Sequence, residues 1–171
     1  MNAVVVYESH WGNTAAVARA IAEGIGPETP VLTTDEATPA AIADADLIVA
    51  GAPVMAFRLP TDGLIRGLDE KNGNASMPPD ISHPSMRSWL DGLPAGAGLA
   101  AAFETRLRFS PGGATGAIER GLGAAGYRRL AAGHKFYVQG QYGPLRYGEL
   151  EAARVWGKSL ATTYESATDA A

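Results

Sequence analysis

The sequence predicts an α/β domain in which a parallel five-stranded sheet carries helices on both faces, and three observations predict it. A β-branched run, Val4-Val5-Val6, ends in the turn Glu8-Ser9-His10-Trp11-Gly12-Asn13-Thr14, from which an alanine-rich helical pattern starts at once. Strand-like and helix-like stretches alternate through the rest of the chain, as strand–helix–strand crossovers require. The run Asp46-Leu47-Ile48-Val49-Ala50-Gly51 is continuously apolar after its first residue, as a parallel strand covered on both faces should be.

The elements follow in order. Residues 3–7 read as a buried first strand. Residues 13–25 read as a helix with Val17, Ile21 and Ile25 on one face, ended by Gly24 and Gly26-Pro27. A second strand at 30–33, a short helix at 39–45 and a third strand at 46–51 come next. Residues 60–84 contain several prolines and the polar run Asp69-Glu70-Lys71-Asn72-Gly73-Asn74, and read as a long loop with one helical turn at 63–68. A short helix at 85–93 turns Met86, Trp89, Leu90 and Leu93 inward, with Trp89 as a core anchor. A fourth strand at 98–103 and a helix at 115–125 precede a fifth strand, 127–131 and 135–138, with an interruption at Ala132-Gly133. Residues 149–164 close the chain as a helix, and 166–171 are expected to fray. The whole reads as one domain over 1–165.

Composition bounds the function. A chain of 171 residues with 46% hydrophobic and 19% charged residues is an ordinary globular domain with room for a substantial core. A net charge of −4, with basic residues scattered, argues against nucleic acid as a partner. The absence of cysteine removes disulfides, thiol redox chemistry and iron–sulfur ligation, so a redox role would rest on a bound cofactor. His10, His83 and His134 have no metal-ligand spacing. No apolar run reaches the roughly 20 residues of a membrane span, and the N-terminus enters a strand without a signal-like segment, so a cytoplasmic protein is expected.

The turn after the first strand is the strongest chemical signal. A strand, a glycine-bearing turn and a helix start aim backbone N–H groups and the positive end of a helix dipole at one point, which suits a phosphate. The turn lacks Lys and Arg, so the donors would be neutral: Ser9, Asn13 and Thr14 side chains, with Gly12 allowing close approach. The plainer alternative is a simple turn with Asn13 or Thr14 capping the helix. Neither the nucleoside-triphosphate loop nor the dinucleotide fingerprint is present. The loop after the third strand, 52–60, is apolar and bracketed by Pro53 and Pro60. Its Met55 and Phe57 suit the face of a flat ring, or else pack against the 60–84 excursion. The loop after the fourth strand, 103–113, carries Arg106 and Arg108.

Taken together, Ser9-x-x-Gly12-Asn13-Thr14, Gly51-Ala52-Pro53, Phe103-Glu104-Thr105-Arg106, and Gly143-Pro144-Leu145 with Gly148-Glu149-Leu150 resemble the flavodoxin-like FMN-binding superfamily, in particular small flavodoxin-family proteins of actinobacterial type. The resemblance covers the chain apart from 60–84. It implies a three-layer sheet of order 2-1-3-4-5, and FMN as the cofactor. By the same likeness Ser9, His10, Trp11, Gly12, Asn13 and Thr14 would form the phosphate loop. Pro53, Val54, Met55, Ala56 and Phe57 would hold one side of the isoalloxazine, and Thr105 with Arg106 its other edge. Arginine charge near the ring would favour its reduced, anionic form and attract an anionic donor. The function this implies is an FMN oxidoreductase between a reduced nicotinamide, NAD(P)H, and a quinone-like acceptor. A one-electron carrier working with a redox partner, and a flavin-free binding or regulatory module, are the alternatives. Tyr142 and Tyr147 are either surface residues or part of a substrate mouth.

Overall fold

The computed structural model describes residues 1–70 and 75–169. Among these residues, six strands and five helices occur in the order β1 (Ala3–Tyr7), α1 (Asn13–Ile25), β2 (Val31–Thr33), β3 (Leu47–Pro53), α2 (Asp62–Glu70), α3 (Met86–Asp91), β4 (Leu99–Leu107), α4 (Thr115–Ala124), β5 (Arg128–Arg129), β6 (His134–Val138) and α5 (Glu149–Asp169). The sheet is parallel with order β2-β1-β3-β4-β5, and β6 also pairs with β4. The fifth position of the sheet is thus one strand split in two, both halves lying on β4.

Alternation along the strands divides the core between the two faces. Val4, Val6, Ile48, Ala50, Ala100 and Ala102 face α3 and α4, where Trp89, Leu90, Ile118 and Leu122 cover them. Val5, Leu47, Val49, Leu99, Ala101 and Phe103 face α1 and α5, under Val17, Ile21, Trp156 and Leu160. Because both faces are covered, the strands carry no polar stripe, and this is why they read as continuous apolar runs. Trp89 is the core anchor that its spacing implies, and its indole N–H donates to the Ala37 carbonyl at 2.9 Å.

Several expectations need correction. Residues 39–45 form turns rather than a helix. The single turn expected at 63–68 is the nine-residue α2. Part of the expected 60–84 loop, residues 71–74, lies outside the described residues. The closing helix runs on to Asp169, so 166–169 are helical, and 170–171 lie outside the described residues. The third and fourth strands are longer than expected. Pro53 ends β3, while Glu104, Thr105 and Arg106 continue β4 past Phe103 rather than forming a loop. The charges of Glu104 and Arg106 suggest solvent, yet the two neutralise each other inside the fold.

Gly24 does not end α1. It lies in the helix, where an added Cβ would strike the Arg154 backbone of α5, just as one at Gly157 would strike the Ile21 carbonyl of α1. The two helices meet backbone to backbone through this glycine pair. Alanine is normally the better helix former by about 1 kcal/mol. Gly157→Ala is nevertheless expected to lower stability by about 1–3 kcal/mol through overpacking. A urea-denaturation midpoint that is unchanged or raised would contradict this close packing.

Candidate functional site

The carboxyl ends of β1, β3, β4 and β6 converge on one cavity of about 300 Å³. Ser9, His10, Trp11, Asn13 and Thr14 line it from the first loop, Pro53, Val54, Met55, Ala56 and Phe57 from the second, and Thr105 and Arg106 from β4. Of the residues that the sequence resemblance assigns to cofactor binding, Gly12 alone is not part of the lining. It serves the turn instead, in a left-handed conformation at φ 84° ahead of α1, and its carbonyl accepts the Ala16 N–H.

The first loop is braced from behind. Glu8 is fully buried; one carboxylate oxygen accepts the Met86 N–H at 2.6 Å and the other faces His10 Nε2 at 2.9 Å. His10 Nδ1 meets the Asp80 carbonyl at 2.6 Å, and the Asp80 N–H donates back to the His10 carbonyl. His83 stacks on His10 and places its Nε2 3.0 Å from the Ser9 carbonyl. The stretch from Asp80 to Met86, which reads in the sequence as the end of a loop and the start of a short helix, is therefore a clamp on the loop. Both nitrogens of His10 face acceptors, so each is served by a proton. Burial opposes that charge, but the Glu8 carboxylate and the Asp80 carbonyl outweigh it, and the His10 pKa is raised. Charge on His10 is directed backwards, onto Glu8 and the Asp80 carbonyl, and the forward groups of the loop are neutral.

Those forward groups are incompletely paired. Among the described residues, the buried side-chain polar atoms without a hydrogen-bond partner are Ser9 Oγ and Trp11 Nε1. Leaving such a donor dry costs about 1–3 kcal/mol. Both belong to the same loop, beside the first turn of α1, whose N–H groups have no intrahelical acceptors. The other two hydroxyl or amide candidates are engaged. Thr14 Oγ1 bonds Thr105 Oγ1 at 2.7 Å, joining the first loop to β4, and Asn13 Nδ2 donates to the Tyr142 carbonyl at 3.1 Å. The Tyr142 ring packs edge-on against Trp11, so this tyrosine supports the loop.

The second loop is a tight hairpin. Met55 and Arg58 exchange two backbone hydrogen bonds around Ala56 and Phe57, which both hold positive φ, at 46° and 65°. This is the conformation for which Asn-Gly is the favoured sequence, and here two side-chain-bearing residues occupy it. Gly112, itself at φ 71°, fits against the Phe57 carbonyl, which also accepts the Gly113 N–H. Strained backbone at the cavity wall is held by the loop that follows β4.

Arg106 is not the free cation its sequence position suggests. Its guanidinium donates to Glu104 Oε1 at 2.8 Å and to the Gly112 carbonyl at 2.9 Å. Glu104, fully buried, also accepts the Ala114 and Thr115 N–H groups through Oε2 and so caps α4, which has no side-chain cap of its own. Arg108 lies outside this cavity, over the Phe109 ring. Leu107, Ser110, Val138 and Gln141 complete the lining and were missed in the sequence. Val138 and Gln141 follow the split fifth strand at its carboxyl end, and that position was the available signal.

No family model matches the chain, and no curated protein matches its sequence. Solved structures do. A flavodoxin from the domain Archaea matches at 18% identity and TM-score 0.63, covering 96% of this chain and 99% of that one. A WrbA-like flavodoxin from Agrobacterium tumefaciens matches at 21% identity and TM-score 0.58, covering 96% and 98%. A rubredoxin oxygen:oxidoreductase from Desulfovibrio gigas matches at 18% identity and TM-score 0.63, covering 97% of this chain but 37% of that one. The fold is therefore flavodoxin-like.

Three outcomes test the site's construction. Glu104→Ala is expected to cost about 3–5 kcal/mol, because it strands a buried guanidinium and uncaps α4; a loss under about 1 kcal/mol, read from denaturant midpoints, would show that the pair is dispensable. Ala56→Gly relieves positive φ and should raise stability by about 1 kcal/mol, or roughly 2–4 °C in a domain of this size. The raised His10 pKa gives stability that is fully present below the unfolded-state value of about 6.5 and lost as pH rises through the folded value. Melting temperatures across that window should fall in the native protein and stay flatter in His10→Gln; parallel profiles would contradict the clamp.

Proposed function

We propose that this protein binds FMN in the cavity at the carboxyl ends of β1, β3 and β4 and works as a flavin redox protein. The observation that carries the reading is the pair of orphaned donors, Ser9 Oγ and Trp11 Nε1, buried in the loop that opens α1. A phosphate there would accept from both and from the first-turn N–H groups, at a helix N-terminus that favours negative charge. The fit extends to the ring: Pro53 to Phe57 offer an apolar wall, and Thr105 with the Glu104-bound Arg106 offers polar atoms on the opposite side.

FMN bound here would supply the hydride and single-electron chemistry that the chain lacks, since its composition includes no cysteine. The protein's part is to bind, orient and shield. Glu8, His10 and His83 fix the phosphate loop, the Ala56–Phe57 hairpin fixes the ring wall, and the Arg106 charge is neutralised, so no isolated cation sits in the cavity lining. We propose a reduced nicotinamide as donor and a quinone-like molecule as acceptor, flat rings of the kind the apolar wall from Pro53 to Phe57 suits. A one-electron carrier is the second reading, favoured by Phe57, Phe109 and Tyr147 standing exposed beside that mouth.

Visible absorbance after addition of FMN, with anaerobic NADPH or NADH added next, tests the reading in two steps. Yellow protein that is bleached by the nicotinamide supports the reductase; yellow protein that is not supports the carrier. Ser9→Ala separates ligand binding from folding. It removes an unsatisfied donor, so stability without FMN should hold or rise by up to about 1 kcal/mol, while FMN affinity falls by about tenfold or more. Loss of stability with unchanged affinity would place the Ser9 hydroxyl in folding alone.

A further inference from the structure

Past the ring cavity, and sharing Phe57, Leu107, Ser110 and Val138 with it, lies a wider and shallower cavity of about 760 Å³. Phe109 and Tyr147 stand at its rim with 89% and 104% of their surface exposed, and Phe57 keeps 61%. Single exposed aromatics are ordinary, but three around one opening form a patch of the kind that marks a binding surface. The charged residues lining it are Arg108, stacked on Phe109, and Arg146; no acid takes part.

The charge of the chain is divided along the same line. The first fifty residues, which build β1, α1, β2 and most of β3, hold seven Asp and Glu against one Arg. Residues 104–148, which build the end of β4, α4, β5 and β6, hold seven Arg and Lys against two Glu. Both of those glutamates are already paired, Glu104 with Arg106 and Glu119 with Arg129. Among the described residues, Arg108, Arg120, Lys135 and Arg146 have no acidic side chain within ion-pair distance. A chain of net charge −4 therefore carries Arg108 and Arg146 at the mouth of its cavity, a positive rim, and its acidic half on the β1–β2 side of the sheet.

We propose that this rim docks a protein electron partner with an acidic surface. The inference rests on the reading of the cavity as a flavin site and deepens its carrier form by giving the sign of the partner's charge. Exposed Phe and Tyr flanked by Arg match the residue types that dominate protein interfaces, and acids, depleted there, are absent. The aromatic side chains project from a shallow surface rather than enclosing a space, so they suit a broad partner better than a small anion, which would stay largely in solvent. Opposed fields would steer an acidic partner to the rim and away from the β2 edge, speeding encounter at low salt. A second copy of the chain meeting face to face would bring arginine against arginine.

The test is an amide-shift titration of the ¹⁵N-labelled, FMN-treated protein. The probes are a plant-type [2Fe–2S] ferredoxin, which is acidic, and a basic mitochondrial cytochrome c, each at ~20 mM and ~300 mM salt, on either side of effective screening. The expected result is a set of shifts confined to 57, 107–111 and 146–147 with ferredoxin, and at least tenfold weaker binding at the higher salt. Arg108→Glu with Arg146→Glu should reduce ferredoxin binding at least tenfold while FMN uptake is unchanged, since neither residue lines the ring cavity. Absence of binding, shifts elsewhere, equal response to cytochrome c or an indifferent double variant would overturn the proposal. So would dimerisation through the same residues in sedimentation. Because the readout is binding, a colourless protein would defeat the flavin reading separately.

Discussion

The site depends on one constraint: everything charged in the first loop is spent behind it. Glu8 is sealed from solvent and must be satisfied within the fold, and it is, by His10 and by the Met86 N–H. His10 in turn must place its second N–H, which the Asp80 carbonyl receives. The loop cannot collapse onto these groups, because they are already committed. Its remaining donors, Ser9 Oγ and Trp11 Nε1, stay buried and without a partner in the loop that lines the cavity. In the proposed reading, an acceptor from outside meets the two neutral donors that the buried pairs leave without a partner.

The second carboxylate repeats the logic on β4. Glu104 holds Arg106, caps α4 and reaches across from strand to helix, while Gly112 fits under the Phe57 carbonyl. Loop after β3, strand β4 and helix α4 thereby become one unit. The strained Ala56–Phe57 hairpin persists because this unit leaves it little alternative. Thr14 and Thr105 join the unit to the first loop through a single hydroxyl pair. The two sides of the cavity are thus connected by a short chain of buried polar contacts.

Much of the architecture was legible in the sequence because both faces of a parallel sheet are apolar. The runs at 3–7 and 46–51 leave little else to be, and the interruption at Ala132-Gly133 announced the split fifth strand. What misled was charge. Glu104 and Arg106 read as solvent-facing loop, since the pairing that buries them is a tertiary fact. Gly24 read as a helix stop, since its partner Arg154 lies far along the chain. The segment expected as a short helix at 39–45 makes only turns before β3 begins. In the cavity lining, the first two loops were legible because each is a contiguous stretch of sequence. The clamp from Asp80 to Met86 was not, because His83 and Asp80 have no spacing relation to the loop they hold.

The central claim is that the Ser9-to-Thr14 loop is a prebuilt phosphate site, and comparing the affinities of FMN and riboflavin tests it most directly. The two share the ring and differ in the phosphate. Titration calorimetry should give FMN at least about a hundredfold advantage, which is roughly 2.7 kcal/mol from charge-assisted bonds to otherwise idle donors. Equal affinity for the two would contradict the account, since binding would then rest on the ring wall alone.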